Sequence, residues 1–261
     1  MAVKLTIQGG LIYLTMLFFI ATLVAARLRR NQNATAFWIG GFTVALLSVA
    51  WRGFSTGHPP MQNLFEFFLC MAAALAPLSW WNLRRHGLDT KFQDAVIGLV
   101  ILFPAGFVFK EEMRHLMPAL QSPFFVPHVA AYVAGYVMMT RATAIALPMF
   151  RRDTAAERLA RIDLAVRQSV AAGFVLITAG LLLGSIWGKV CWSNYWAWDP
   201  KEMWSLATWL VYAAYFHFRQ RYGVSRPRSL AVLLCVGLLF IVLTLTWINL
   251  SRIFSGMHTY A

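Results

Sequence analysis

Charge is what this sequence has least of. Asp, Glu, Lys and Arg make up 13% of its 261 residues, about half the share usual in a soluble domain, while 59% are hydrophobic. With a mean hydropathy of +0.60, such a chain cannot cover itself with a solvated surface and belongs in a lipid bilayer. Cysteine is also scarce. Cys70, Cys191 and Cys235 lie far apart without C-x-x-C spacing, which excludes a locally built zinc cage or dithiol redox motif. The absence of C-x-x-C-H excludes a cofactor attached to this chain in the c-type manner. The three thiols read as small buried hydrophobes. Acidic residues are few, ten against 23 Lys and Arg, for a net charge of +13. The basic residues are spread between apolar runs rather than gathered in one patch, which argues against a nucleic-acid partner and makes the charge a record of membrane topology. Low-complexity tracts, internal repeats and a soluble domain are all missing, so residues 1–261 read as one membrane domain.

What the chain has is apolar runs long enough to cross about 30 Å of hydrocarbon at 1.5 Å per residue. About eight are expected, at 9–26, 36–53, 61–82, 93–110, 125–149, 169–187, 203–218 and 229–249. The first reads as a retained span rather than a cleaved signal. The dyad alternation of a membrane barrel is absent, so the expected fold is all-α, a polytopic membrane helix bundle. Alternate loops hold about fifteen basic residues, Arg27, Arg29, Arg30, Arg84, Arg85, Lys91, Arg151, Arg152, Arg158, Arg161, Arg167, Arg219, Arg221, Arg226 and Arg228. The opposite set, Lys4, Arg52, Lys110, Arg114, Lys189, Lys201 and Arg252, is about half as large. The positive-inside bias makes the first set cytoplasmic and both termini outward. The mixed charges of 151–167 suggest a short cytoplasmic helix between spans.

The outward segment from Trp187 to Trp204 places five tryptophans in eighteen residues: Trp187, Trp192, Trp196, Trp198 and Trp204. An interfacial aromatic belt explains one or two tryptophans, but neither this density nor the charged insert Asp199-Pro200-Lys201-Glu202. Flat aromatic faces beside an amphipathic loop suit a flat, mostly apolar ligand with a polar edge, such as a porphyrin. Asp199 before Pro200, with Glu202 in the next turn, predicts a capped helix start.

Trp196-Ala197-Trp198-Asp199-Pro200-Lys201-Glu202-Met203-Trp204 resembles the WWD signature of haem-handling proteins in cytochrome c assembly, in the form found in the CcsA (ResC) family of System II. Gly57-His58-Pro59-Pro60-Met61-Gln62-Asn63-Leu64-Phe65-Glu66 resembles that family's G-H-x-P-x-x-N-x-x-E stretch, and Ser255-Gly256-Met257-His258-Thr259-Tyr260 its closing S-G-x-H-S-Y. The likeness runs from about His58 to the end. It departs from the family at Ser193-Asn194-Tyr195, where Gly-x-Tyr is usual, and at Thr259, which stands for Ser. The first change bears on the loop backbone, since Ser cannot adopt every conformation open to Gly.

Histidine is the natural axial ligand for a haem that is bound and then released. His128, near the outer end of the fifth span, and His258, just beyond the eighth, can both approach the tryptophan segment, and the resemblance implies such a flanking pair. Trp192, Trp196, Trp198, Asp199 and Trp204 are the expected haem contacts, with Glu202 a further candidate. His217 lies near the cytoplasmic end of the seventh span, where an ionisable group is a functional hypothesis by default. It is too far along its helix to reach the outward loop. The resemblance implies that it serves an inner site completed by a CcsB (ResB) type membrane partner. His58 is either a turn residue or a ligand, Glu66 is expected to face the bundle interior towards Arg52 or Arg141, and His86 and His115 read as solvated loop residues.

The resemblance further implies that haem b is the transported substrate and that apocytochrome c, kept reduced by a thiol-reducing system, receives it. The membrane would be the bacterial inner membrane, or a thylakoid membrane if the chain is plastid-derived. With its partner the chain would be a holocytochrome c synthase, a lyase-type activity. No residue stands out as an acid–base catalyst, so rate enhancement would come from positioning thiols against vinyl groups. Two other readings remain: a haem exporter without synthase activity, like the CcmC relatives, and a structural or ion-coupled membrane subunit.

Overall fold

Inside hydrocarbon every backbone N–H and C=O must be paired within the chain, and this sequence meets that demand with helices. A computed structural model describes residues 3–112 and 116–247. His115, Arg114, Arg252 and His258 therefore lie outside the described residues. Eight α-helices follow in order: α1 Ile7–Arg27, α2 Asn31–Thr56, α3 Leu64–His86, α4 Lys91–Phe107, α5 Phe125–Ala146, α6 Ala156–Trp192, α7 Pro200–Tyr222 and α8 Pro227–Val242. No strand occurs among the described residues.

Each of the eight expected spans overlaps a helix among the described residues, and six of these helices are long and apolar enough to cross a membrane, making this a multi-pass membrane protein. The other two are α4 and α7. At 17 residues α4 is short. In α7, Trp, Tyr, Ser, Thr and His occupy positions that aliphatic residues fill elsewhere.

The larger departure is at α6, where the expected separate cytoplasmic helix is continuous with the next span. The result is one 37-residue helix, about 55 Å long. Neither Gly nor Pro interrupts the chain between Ala156 and Arg167. Glu157 and Arg161 pair at 3.6 Å on the exposed face, and Asp163 accepts from Nε and Nη2 of Arg219 on α7, so the charged stretch has reasons to stay helical.

The chain divides into two compact units, Met1–Leu120 and Gln121–Ala261. In the first, α1 packs against α2 and α4, and α3 against α2 and α4. Its interior holds an ion pair. Glu66, 1% exposed in the first turn of α3, accepts from Nε of Arg52 at 2.9 Å and from Nη2 at the same distance. Its other oxygen accepts from the Gln62 N–H at 2.8 Å, and Asn63 caps the helix by accepting from the Glu66 N–H at 3.0 Å. Arg52 spends its remaining donors on the carbonyls of Glu111 and Glu112 and lies 5.2 Å from the Phe65 ring. Of the two expected partners of Glu66 it is thus Arg52 that pairs with it; Arg141 belongs to the second unit. Gly57, at φ +71°, ends α2. His58 in the following turn turns Nδ1 to the Pro59 carbonyl at 3.0 Å.

In the second unit α5 lies along α6, and α7 and α8 complete the bundle. The α5–α6 seam is narrow because glycines face it. A β-carbon at Gly135 would meet the Ile177 side chain at 2.7 Å, and one at Gly180 would meet the Tyr132 ring at 2.9 Å.

Breaking a buried pair leaves an uncompensated charge, so Glu66→Ala is expected to cost about 3–5 kcal/mol. The double change Arg52→Met/Glu66→Leu should restore most of that stability. Thermal unfolding in detergent measures both; equal losses in the two variants would show that Glu66 acts otherwise than as the partner of Arg52.

Candidate functional site

The tryptophan segment is not a single loop. Trp187 and Trp192 belong to the last turns of α6 and Trp204 to the first turns of α7, so only Ser193–Asp199 connects them. The helices close down the segment because both ends are well capped. Ser193 ends α6 in the left-handed conformation, at φ +64°, with its N–H on the Lys189 carbonyl at 3.1 Å. The departure from the family's glycine thus falls at a position where glycine carries no steric cost and serine does. Lys189 offsets part of that cost: its ammonium donates to the Ser193 carbonyl at 3.0 Å and lies 5.4 Å from the Tyr195 ring.

At the other end the predicted cap of α7 is present. Asp199, 6% exposed, accepts from the Lys201 N–H at 2.9 Å, and Pro200 occupies the first helical position. Glu202 reaches back to accept from the Asp199 N–H at 3.2 Å and from the Ala197 N–H at 2.9 Å. These two donors flank Trp198, which is itself left-handed at φ +58°. A bulky residue adopts that conformation only when its surroundings over-determine it. Glu202, by gripping the chain on both sides, holds Trp198 as a residue that is 67% exposed. Burial pushes the Lys201 ammonium in the same turn down to about 8, against the pull of Asp199.

The aromatic rings of the segment pack in three sets, one of them around Trp187. Trp187 is 2% exposed and meets Trp192 edge-on at 4.8 Å and Phe125 at 5.5 Å. His128 of α5 stacks on Trp187, with ring centroids 5.6 Å apart and planes inclined by 26°, and meets Tyr132 edge-on at 5.2 Å. Its Nδ1 lies 2.8 Å from the Gly180 carbonyl of α6. Trp196 and Trp198 touch edge-on at 5.9 Å, and Trp204 packs on Phe240 of α8 at 5.4 Å. The Nε1–H of Trp196 is buried with no acceptor among the described residues.

The fold therefore brings His128 to the tryptophan segment through Trp187. His217 is not brought there. It is exposed on α7, eighteen positions beyond Asp199 and so about 27 Å along the helix axis. Near it, Phe216 meets Phe174 of α6 at 5.3 Å. His58 and Glu66 lie in the first unit, and His258 lies outside the described residues. Sequence reasoning passed over Trp187 as a site residue, and Gly180 and Gly184 altogether. The only trace of the glycines was their four-residue spacing within an apolar span.

Replacing Ser193 by glycine removes a left-handed non-glycine residue without touching a ring. Ser193→Gly is expected to stabilise the protein by about 1 kcal/mol. An unchanged or lowered Tm in detergent would contradict the assigned cap.

The family model described as "Cytochrome C assembly protein" matches residues 61–255. Curated relatives carry the name cytochrome c biogenesis protein CcsA. The protein of Prochlorococcus marinus strain NATL1A is 30% identical, over 80% of this chain and 78% of its own length. That of Cuscuta exaltata is 25% identical, over 88% and 84%. That of Chlamydomonas reinhardtii is 28% identical, over 83% of this chain and 64% of its own length. A solved structure titled "Cytochrome c Heme Lyase CcmF" superposes with a TM-score of 0.66 at 18% identity, covering 95% of this chain, which spans about half of that one. At that identity the likeness is one of fold. With the family model covering most of its length and CcsA proteins matching most of theirs, the chain belongs to the cytochrome c assembly protein family, among its CcsA members.

Proposed function

We propose that this chain holds haem b at the Trp187–Trp204 segment and presents it for covalent attachment to the C-x-x-C-H motif of apocytochrome c. The observation that carries this reading is the stacking of His128 on Trp187 at the foot of a loop whose Trp198 is held outward. An imidazole is an axial ligand for iron, while exposed indole faces and the buried Trp196 N–H suit a flat apolar ring with acceptor groups at its edge. His128 and His258 are the axial pair. Trp192, Trp196, Trp198 and Trp204 line the ring, and Asp199 with Glu202 fixes the loop that carries them.

His217 serves a second, inner haem site whose opposite ligand comes from a CcsB-type partner, and its exposure on α7 suits a role shared with another chain. Haem passes from that site to the outward one in the bacterial inner membrane, or in a thylakoid membrane for a plastid protein. Residues 1–261 act as one membrane domain with both termini outward.

In the attachment step each cysteine S–H adds across a haem vinyl group. A C–S bond forms, the proton passes to the other vinyl carbon, and no net electron is transferred. The thiols must therefore arrive reduced, which requires a thiol-reducing system. This chain contributes alignment of the vinyl edge rather than acid–base chemistry. The activity is that of a holocytochrome c synthase completed by the partner.

Purified full-length protein, with its partner co-expressed, is expected to show a Soret band. The band should fall in His128→Gly and His258→Gly, disappear in the double variant, and return with added imidazole. Trp198→Gly should weaken haem retention while leaving the unfolding free energy within about 1 kcal/mol of wild type, because it removes an exposed ring and a left-handed strain together. A colourless wild-type preparation would sink the proposal. Haem retention without thioether formation on an apocytochrome c substrate would reduce the chain to haem delivery.

A further inference from the structure

The surroundings of His128 carry more than its identity as a ligand. A carbonyl oxygen only accepts, so the 2.8 Å contact between His128 Nδ1 and the Gly180 carbonyl requires a proton on Nδ1. In the neutral ring the lone pair is then on Nε2. One helical turn further along α6, a β-carbon at Gly184 would lie 2.5 Å from His128 Cε1 and 2.7 Å from Nδ1, positions no real β-carbon shares with another heavy atom. Trp187, three residues on, covers the imidazole face at 5.6 Å. Gly180, Gly184 and Trp187 recur at i, i+4 and i+7, so one stripe of α6 supplies an acceptor, a bare backbone surface and an aromatic wall to the same ring.

We infer that Gly180, Gly184 and Trp187 are positioning residues for His128: the Gly180 carbonyl fixes the tautomer that ligates iron through Nε2, Gly184 leaves room for the ring to reach that carbonyl, and Trp187 sets its plane. This rests on the reading of His128 as a haem ligand. A metal-bound histidine whose other N–H donates to a carbonyl is a more basic ligand, and loss of such an outer partner costs about 10- to 100-fold in metal affinity. A more basic imidazole favours ferric over ferrous iron, so the Gly180 carbonyl holds the haem potential down.

The test uses the full-length protein with its partner, carrying His128→Gly and reloaded with haem in the presence of small imidazoles. Imidazole and 4-methylimidazole keep an N–H after binding iron; 1-methylimidazole does not. The two N–H ligands are expected to bind at least about tenfold more tightly than 1-methylimidazole and to give a lower midpoint potential. Equal affinities and potentials for all three would overturn the role of the carbonyl, as would a 4-methylimidazole that behaves like 1-methylimidazole, since the effect would then be one of bulk. With His128 intact, Gly184→Ala is expected to raise the midpoint potential and lower haem retention; a wild-type potential in a haem-loaded Gly184→Ala protein would overturn the role of Gly184. Retention of the wild-type Soret band and potential by His128→Gly would remove His128 as ligand, and the proposed haem site and this inference would fall together. Rescue by all three ligands alike leaves the haem site standing and removes only the positioning role.

Discussion

The close approach of α5 and α6 is the contact on which the site depends. Between two helices in lipid there is little hydrophobic gain to be had, so association rests on van der Waals contact and on backbones that can come near one another. Gly135, Gly173, Gly180 and Gly184 provide that nearness, and each is met from across the seam by a side chain or by backbone. At the loop end of the seam the space left by missing β-carbons is filled by the rings of Tyr132 and His128. A larger residue at Gly184 would displace the His128 imidazole, so helix packing and the placement of that ring are here one geometric condition.

The loop above the seam is specified differently, by hydrogen bonds rather than by packing. Glu202 binds the N–H groups on both sides of Trp198, and Asp199 caps the helix that carries Glu202. The charged insert within an aromatic segment thus has a mechanical role. One oxygen of each carboxylate accepts from backbone donors, which lets a left-handed tryptophan stand out from the surface. At the far end of the bundle Asp163 and Arg219 join α6 to α7, and in the first unit Arg52 and Glu66 join α2 to α3. These two ion pairs tie helices together, consistent with the cost of leaving a charge unpaired in an apolar interior.

Much of this could be read from the residues themselves. Apolar runs locate every helix, because only helices satisfy the backbone in lipid over such lengths. Asp199-Pro200 announces the start of α7, because an oxygen acceptor before a fixed φ is what a helix N-terminus needs. The density of tryptophan marks the site. What could not be read is where a helix continues across a charged stretch, as α6 does through 156–167, since that depends on an ion pair with a residue 56 positions away. The partner of Glu66 was also open, because two arginines met the same electrostatic requirement and only the packing of α2 beside α3 chose Arg52.

By itself, then, the amino-acid order determined the membrane class, the helices, the capped start of α7 and the residue types around the tryptophans, all of which follow from local periodicity, propensity and composition. The tertiary structure alone decided that His128 stacks on Trp187, that its Nδ1 faces the Gly180 carbonyl, and that Trp198 is clamped in a left-handed conformation. The reason is that the first two of these join residues more than fifty positions apart, through a close approach of two backbones that no local pattern encodes. The third depends on how one carboxylate divides itself between two backbone donors once the loop has closed.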